Sequence, residues 1–399
     1  MFLTKDQESM LNGEKGEALA KCTKLIVKVG ELYGAEKLIP IKSAQVAGVS
    51  YLTVGDSIFS FLELFSKDNI KVRVPSWLNP SGMDKARWKD MGVSSEFAEK
   101  QKRIINHYVE MGIKPTLTCT PYLIGNEPSF GDHLSWSESS AVSIANGFFG
   151  ARTNREGAPL ALASAVIGLT ADYGLHKDEN RVPKVIVDVQ AGIKHFSDYS
   201  ALGYWYGSYY KGVIPFFKGL KSSEVDQIKM LAAAMAASGS VAHFHIENQT
   251  PESKFIDLKS VDEKVVFSEE DKKSIYSIFD QIKENVNLVA IGCPHASVED
   301  LKKIYSLVQN KVLKRDVSFW VFASRGIVEG EETNPLIHYL EEKGIKVFAD
   351  SCMVVSPVVR ANYENIITNS AKAAFYLTRE GKTKVNLQSL EQISEVVFE

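Results

Sequence analysis

Several features are missing from this sequence of 399 residues, and each absence excludes a class of protein. The longest apolar stretch, around residues 159–169, is too short to cross a lipid bilayer. The N-terminus has neither the basic start nor the apolar run of a signal peptide. Four cysteines in a chain of this length do not make a disulfide framework. We therefore expect a protein of the reducing cytoplasm.

The sequence also lacks a strong charge of either sign. Lys and Arg number 46 and Asp and Glu number 49, so the formal net charge is −3. This balance argues against nucleic acid as the main partner. The chain contains no Walker loop, no GxGxxG after a strand and no GxSxG elbow. ATPases, dinucleotide-dependent dehydrogenases and serine hydrolases are therefore disfavoured.

Short β-branched runs alternate with amphipathic stretches of helical spacing along the chain. The predicted strands cover residues 70–74, 114–118, 184–189, 241–246, 287–292, 317–323 and 345–349. This alternation predicts an α/β protein with mostly parallel sheets flanked by helices. A polar stretch at residues 249–271 indicates a boundary. We expect N-terminal α/β lobes over residues 1–265 and a doubly wound C-terminal lobe over residues 266–399.

Three of the four cysteines occupy the same kind of position. Cys119, Cys293 and Cys352 each follow a predicted strand, whereas Cys22 lies on a helical apolar stripe and is predicted to fill the core. Ligands bind at the carboxyl ends of the strands in open α/β sheets. Three thiols that meet there could hold a metal or an iron–sulfur cluster. Because the spacing is not a CxxC pattern, three ordinary half-buried cysteines are an equal alternative.

The most polar segment of the chain begins at Cys119 and ends at Glu156. Two arginines within it are close enough in sequence to clamp a carboxylate or a phosphate, although an ion pair within the protein is an alternative for each charge. Glycines punctuate the segment, and it directly follows a candidate ligand. We therefore predict that it forms a wall of the site, to which it contributes Asn126, Glu138, Ser139, Arg152, Asn154 and Arg155.

Two further loops have the character of ligand-binding segments. One is rich in small residues, so its backbone can approach a ligand closely. The other follows a predicted strand and has the Pro/Gly punctuation of a tight polar loop. Together they contribute the candidate substrate-binding residues Gly48, Val49, Ser50, Asn79 and Pro80.

Lys372 falls in the first turn of a predicted helix near the end of the chain. A lysine there opposes the helix dipole unless an anion lies nearby, so the position predicts an anionic neighbour. His243 and His245 share one face of a predicted strand and are candidates for metal binding, although a purely structural role is the favoured interpretation.

Six sequence blocks occur in order along nearly the whole chain: CTPYLIGNEP, ESSAV with the AN that follows, GARTNREG, GCPH, DSC and TNSAK. Together they resemble the large subunit of the aconitase X family. The resemblance implies an aconitase-like, multi-lobed α/β architecture that lacks the small swivelling domain. It implies an iron–sulfur cluster, expected to be 4Fe-4S, with Cys119, Cys293 and Cys352 as its ligands. It also implies a separate small subunit that carries the swivelling domain and a serine base.

The resemblance further implies a hydro-lyase. The expected reaction is loss of water from mevalonate 5-phosphate to give trans-anhydromevalonate 5-phosphate in isoprenoid biosynthesis, with Glu138, Ser139 and Lys372 as catalytic residues. Dehydration of cis-3-hydroxy-L-proline, the other activity of the family, is the alternative reaction. A non-catalytic iron–sulfur scaffold is the alternative of a different class.

Overall fold

The computed structural model of the chain describes residues 1–67, 69–221, 224–283, 285–379 and 381–399. Within these ranges the strands form three parallel sheets and one antiparallel pair, flanked by helices, which confirms the predicted α/β class. None of the described helices is long and apolar enough to cross a membrane. The strands β1 to β14 are Leu38–Pro40, Ser43–Val46, Ser76–Leu78, Leu134–Trp136, Leu169–Ala171, Val185–Val189, Pro215–Lys218, His245–Ile246, Glu263–Phe267, Leu288–Ala296, Ser318–Ala323, Ile345–Ala349, Asn365–Thr368 and Lys384–Leu387. The α-helices are Lys5–Leu11, Glu17–Leu32, Tyr51–Val54, Ser57–Lys67, Ser95–Glu110, Ser139–Gly147, Ala158–Ile167, Phe196–Tyr209, Val225–Gly239, Glu269–Ile278, Val298–Leu307, Arg325–Val328, Asn334–Glu342, Pro357–Asn362, Ala371–Thr378 and Leu390–Val397.

The N-terminal part of the chain is built on the parallel sheet β3-β2-β4, accompanied by the antiparallel pair β1-β5. Helix Ala158–Ile167 is almost entirely apolar and buried, and it packs against β2 on one side and helix Glu17–Leu32 on the other. Cys22 lies on the buried stripe of helix Glu17–Leu32, as the helical spacing predicts. This packing leaves the carboxyl ends of the three strands open for the loops that follow them.

The middle part carries the parallel sheet β8-β7-β6-β9, covered by the helix pair Phe196–Tyr209 and Val225–Gly239. The strand predicted at 184–189 is β6, whereas the one predicted at 241–246 is reduced to the two residues of β8. The predicted lobe boundary after residue 265 lies within β9. The division into two lobes stays a prediction.

The C-terminal part is a doubly wound parallel sheet with the order β12-β11-β10-β13-β14. The chain starts at the central strand β10, extends to one edge through β11 and β12, and returns to the other side of β10 with β13. The order therefore reverses between β10 and β13. Crevices at such a switch point, outside the carboxyl ends of the strands, are where open α/β sheets bind ligands.

Two predicted strands are wrong. Residues 70–74 are irregular, with a bend at 73–74, and their amides bond to other segments, such as Val72 N–H to the carbonyl oxygen of Met111, rather than to a strand. In the segment 114–118, Lys114 makes only an isolated bridge with Trp77. Leu117 then adopts a left-handed φ of 47°, which a strand cannot continue. Residues 70–74 alternate between half-buried and exposed positions, so their period-two pattern arises without pairing in a sheet.

Candidate active site

A cavity of about 740 Å³ lies between loops of the N-terminal part and the carboxyl edge of the C-terminal sheet. Within the described part of the chain, no residue of 183–277 lines it. All but four of the predicted site residues contribute to its wall. The predicted residues that line it are Gly48, Val49, Ser50, Asn79, Pro80, Cys119, Glu138, Ser139, Cys293, Cys352 and Lys372.

The cavity brings together the three cysteines predicted as ligands, and each of them follows an unusual backbone conformation. Leu117, Gly292 and Asp350, one or two residues before the three cysteines, have φ values of 47°, 102° and 61°. A Cβ atom on Gly292 would overlap the carbonyl oxygen of Phe322 in the neighbouring strand, so only glycine fits there. Left-handed residues turn the chain sharply, and strain of this kind concentrates at functional sites. The three turns direct three separate segments toward one cavity.

His295 links the segments that carry the three cysteines. Its Nε2 donates a hydrogen bond to the carbonyl oxygen of Ser351 at 2.7 Å, and its Nδ1 accepts one from the hydroxyl of Thr118 at 3.0 Å. Its backbone N–H donates to Sγ of Cys119 at 3.2 Å. Burial lowers the pKa of His295 to about 4, so the neutral ring keeps both roles at pH 7. Because His295 is also two residues after Cys293, one side chain ties all three segments together.

A second network fixes the turn that precedes Cys352. Nε of Arg325 lies 3.1 and 3.0 Å from the two carboxylate oxygens of Asp350, and its Nη2 lies 2.9 Å from Oδ1 of Asp84. The carbonyl oxygen of Asp350 in turn accepts the N–H of Ser81 at 2.9 Å. The loop that contains Asn79 and Pro80 is therefore held against the Cys352 turn.

The three thiols differ in acidity. A hydrogen bond from the Cys293 thiol lowers the pKa of Cys352 to about 7, and the same contact together with burial raises the pKa of Cys293. Burial raises the pKa of Cys119. The thiolate is the form that binds metals, and a bound cation deprotonates its thiol ligands. One acidic and two neutral thiols in one cavity are thus a donor set that fits an iron–sulfur cluster or a metal ion.

Glu138 and Lys372 form a buried ion pair in the wall of the cavity, and each residue is 7% exposed. Nζ of Lys372 lies 2.6 Å from Oε1 of Glu138. The other carboxylate oxygen accepts the N–H of Ala141 at 2.7 Å and the hydroxyl of Ser140 at 2.5 Å, so Glu138 caps helix Ser139–Gly147. Burial opposes both charges, but their attraction outweighs it, raising the pKa of Lys372 and lowering that of Glu138. Glu138 therefore places a negative charge near the first turn of the helix that carries Lys372.

The two arginines predicted to clamp an anion lie outside the cavity. Arg152 pairs with Asp178 instead. Nη1 of Arg155 lies 3.4 Å from the carbonyl oxygen of Ala236 and 3.3 Å from Oγ of Ser240. The two side chains point in different directions although the residues are close in sequence, because each arginine bonds to a different neighbouring segment.

The two predicted asparagines also lie outside the cavity. Asn154 donates to the carbonyl oxygen of Tyr173 at 3.1 Å and accepts the N–H of Leu175 at 2.8 Å. The N–H of Asn126 donates to the carbonyl oxygen of Pro121 at 3.1 Å. These bonds stabilise loops. Substrate binding by these four residues stays a prediction that the cavity does not support.

The sequence reasoning missed ten cavity residues, and Arg360, Tyr376 and Lys382 are three of them. Arg360 lies on the short helix that begins at Pro357, soon after Cys352, and this proximity to a candidate ligand was the available signal. Lys382 follows Gly381 in the turn before β14. No local pattern marks a lysine of such a turn as facing a cavity, because its direction depends on how the helices pack.

A second group of metal-binding side chains lies elsewhere. The ligand atoms of His243, His245 and Glu252 are all within 4.8 Å of one another. The Glu252 carboxylate, however, is paired with the guanidinium of Arg181, at 2.8 Å from both Nε and Nη2. Burial lowers the pKa of His243 to about 3, and its Nε2 lies 3.1 Å from Glu252. The arginine already supplies the positive charge that a metal would bring.

Comparison with protein-family models matches the chain in three consecutive segments. The family model for the Aconitase X first domain matches residues 1–179, that for the second domain matches residues 183–277, and that for the third domain matches residues 286–399. The chain belongs to the aconitase X family. The cavity of this aconitase X chain is therefore lined by residues of the first and third domains.

The phosphomevalonate dehydratase large subunits are similar over nearly their full length, whereas a hydroxyproline dehydratase is matched over two thirds of its length. The phosphomevalonate dehydratase large subunit of Methanocaldococcus jannaschii is 44% identical over 98% of this chain and 99% of the relative. The protein of the same name from Thermococcus kodakarensis is 43% identical over 98% and 99%. The cis-3-hydroxy-L-proline dehydratase of Pseudomonas aeruginosa is 30% identical over 92% of this chain and 65% of the relative. A crystal structure of aconitase X from Thermococcus kodakaraensis in its holo form, 43% identical, superposes over both whole chains with a TM-score of 0.93.

Proposed function

We propose that this aconitase X chain is the large, catalytic subunit of a phosphomevalonate dehydratase, a hydro-lyase that removes water from mevalonate 5-phosphate. The relatives that carry this name reach 44% and 45% identity, whereas the hydroxyproline dehydratases are 30% identical. The observation that carries the proposal is the single cavity in which three thiols meet the buried Glu138–Lys372 pair.

Cys119, Cys293 and Cys352 are proposed to hold an iron–sulfur cluster. They line one cavity, and one of them is acidic enough to be partly a thiolate at pH 7. When bound, a cluster held by three thiolates supplies Lewis acidity that weakens the bond to a leaving hydroxyl group. His295 and the Arg325–Asp350 pair hold the three segments in place, so the donor set is organised before the cluster arrives.

Lys372 is proposed to stabilise the charge that develops on the substrate. The proton leaves the carbon next to the carboxylate, so negative charge spreads into that carboxylate during the reaction. A buried ammonium group fixed in the cavity stabilises this charge strongly, because little water screens it. Its raised pKa keeps it charged throughout the neutral range.

Glu138 is proposed to position Lys372 rather than to take the proton. Its oxygens already accept hydrogen bonds from Lys372, Ser140 and Ala141. Its lowered pKa makes it a weak base. Of the described residues that line the cavity, Glu138 supplies the one carboxylate. We therefore assign the base to a partner, the small subunit that the name "large subunit" implies.

Ser139 and the two small-residue loops are proposed to hold the substrate. Ser139 begins the helix that Glu138 caps, so its backbone N–H points out of the helix toward the cavity side. Gly48 has a φ of 70°, which favours glycine, and it lines the cavity with Val49 and Ser50, whose backbone N–H groups are proposed as donors. Donors of this kind, together with the side-chain amide of Asn79, suit the oxygen atoms of a hydroxy acid, and the adjacent Pro80 contributes to the wall by packing.

The proposal is tested with this chain co-expressed with its small subunit and reconstituted with iron and sulfide without oxygen. We expect the complex to dehydrate mevalonate 5-phosphate and to leave cis-3-hydroxy-L-proline unchanged, as followed by NMR of the products. Cys22→Ser is the matched control and should retain activity. The proposal would be contradicted if the complex dehydrated cis-3-hydroxy-L-proline but not mevalonate 5-phosphate. Full turnover by the large chain without a partner would contradict it as well.

A further inference from the structure

We propose that Lys229, a residue of the second domain, is a positioning residue for the segment that carries Cys293 and His295. The inference rests on the proposed function, because it concerns how the chain holds an iron–sulfur cluster in the cavity. None of the described residues of the second domain lines the cavity. The proposal therefore gives this domain a role at a site that it does not reach directly.

The helix that carries Lys229, Val225–Gly239, supports the cavity wall from outside. It packs against three elements that contribute residues to the cavity: helix Ser139–Gly147, strand β10 and helix Ala371–Thr378. Its buried residues are mostly alanine and other apolar residues. The helix is therefore a shared support for the elements that carry the ion pair and one of the three thiols.

Lys229 places a charge inside this apolar contact, and its side chain is completely buried. Its Nζ lies 2.6 Å from Oδ2 of Asp300 and 2.9 Å from Oδ1 of Asp226. Burial opposes the charge of the ammonium group, but the two carboxylates outweigh burial and raise the pKa of Lys229. Well-packed apolar side chains are often as stable as a buried ion pair. Stability alone therefore does not explain a lysine at this position.

The contacts of Lys229 reach the backbone that follows Cys293. Oδ2 of Asp300, which pairs with the ammonium group, also accepts the N–H of Ser297 at 3.0 Å and its hydroxyl at 3.1 Å. These bonds cap the helix that follows. Nζ of Lys229 also lies 3.4 Å from the carbonyl oxygen of His295. One ammonium group thus holds the chain at both ends of the turn between the strand and the helix.

The effect on the cysteines passes through His295. Its ring bonds to the segments of Cys119 and Cys352, so a fixed backbone at His295 also fixes the ring that joins the three segments. Removing a residue that orients metal ligands typically changes metal affinity by about 10–100-fold. Because Lys229 acts through a neighbour rather than on a ligand, we expect an effect near the lower end of this range, about tenfold.

The test measures the rate at which a chelator removes iron from the anaerobically reconstituted two-subunit complex. The double variant Lys229→Met/Asp300→Asn removes both charges, and the new amide oxygen can still accept the N–H of Ser297, so the helix cap is kept. We expect this variant to release iron about tenfold faster than the parent. Lys229→Arg keeps the positive charge and should recover part of the difference.

Glu252→Gln is the matched control for a loss of stability alone. It removes one partner of a largely buried ion pair in the same domain, where Glu252 is paired with Arg181 and His243. We expect it to lower the melting temperature and to leave the rate of iron release unchanged. The proposal is refuted if the double variant keeps the parent rate of iron release. It is equally refuted if iron release follows the melting temperature in all variants, including Glu252→Gln, because Lys229 would then act on stability alone.

Hydrogen exchange of the cluster-free chain gives a second, independent readout. The backbone amides of residues 295–297 should exchange about tenfold faster in the double variant than in the parent and at the parent rate in Glu252→Gln. If the parent complex binds iron but does not dehydrate mevalonate 5-phosphate, the proposed function fails, and the comparison of iron release still decides the role of Lys229. If the parent binds no iron, hydrogen exchange decides it instead, and equal exchange in the parent and the double variant would refute the proposal.

Discussion

Glu138→Gln is the substitution that tests the buried ion pair most sharply. The glutamine has nearly the same shape, and its carbonyl oxygen can still accept the N–H of Ala141, so the helix cap is largely kept. The change removes the negative charge 2.6 Å from Nζ of Lys372, whose side chain is 9% exposed. Removing one partner of a buried pair costs about 3–5 kcal/mol, because the other charge stays buried without compensation. With the cap retained, we expect a loss near 3 kcal/mol, at the lower end of this range.

The same substitution changes how activity depends on pH. In the parent, the pKa of Lys372 is raised and that of Glu138 is lowered. The raised pKa of the lysine stabilises the folded state fully at pH values below the pKa of a lysine in the unfolded chain, about 10.4. The lowered pKa of the carboxylate stabilises the folded state fully at pH values above that of a glutamate in the unfolded chain, about 4.3. The contribution of the pair is therefore constant across neutral pH. In Glu138→Gln, the strongest attraction that raises the pKa of Lys372 is lost while burial still lowers it. The pKa of Lys372 should therefore fall, and residual activity should decrease as pH rises.

The assay compares melting temperatures and pH–rate profiles of the parent, Glu138→Gln, Lys372→Met and the double variant. The double variant has no unpaired buried charge, so it should be more stable than either single variant while remaining inactive. A Glu138→Gln protein as stable as the parent, or a double variant less stable than both singles, would refute the reasoning.

Three further predictions concern the cysteine segments. Cys352→Ser should abolish iron binding, measured as iron and sulfide content. Cys22→Ser should keep it, because Cys22 packs in a separate core. Full iron content in Cys352→Ser would show that the ligand assignment is wrong. In the cluster-free chain, alkylation of Cys352 should accelerate as pH rises through about 7. It should be faster than alkylation of Cys119 and Cys293, whose pKa values are raised. Equal alkylation rates at the three cysteines, measured by mass spectrometry, would contradict this order. His295→Ala should speed iron loss from the reconstituted enzyme and cost about 1–3 kcal/mol, since the buried carbonyl of Ser351 loses its partner; an unchanged rate of iron release would exclude a positioning role.

The sequence predicted the α/β class and the parallel C-terminal sheet because both depend on local patterns. Strands such as Ile345–Ala349 are apolar runs between helical stretches, and the structure has that strand with the predicted bounds. The segment 114–118, Lys-Pro-Thr-Leu-Thr, is less apolar, and its left-handed residue Leu117 prevents a strand. Backbone conformation at a single residue is not encoded in composition.

The candidate site could be predicted where a residue follows a strand of the sheet. Cys352 follows β12 and Lys372 follows β13, so both lie at the carboxyl edge of the C-terminal sheet. This placement does not depend on the conformation of their side chains. Arg152 and Arg155 could not be placed in this way. Their proximity in sequence does not determine where their side chains point, and partners such as Asp178 lie far away along the chain. The role of His295 was equally invisible, since it depends on contacts with residues 118, 119 and 351.

The most direct test of the central claim is the spectrum of the anaerobically reconstituted complex before and after addition of mevalonate 5-phosphate. If the three cysteines hold a cluster in the cavity that also binds this substrate, the electron paramagnetic resonance or Mössbauer spectrum should change on adding mevalonate 5-phosphate and stay the same on adding cis-3-hydroxy-L-proline. A complex that binds no iron, or a spectrum that mevalonate 5-phosphate leaves unchanged, would contradict the account.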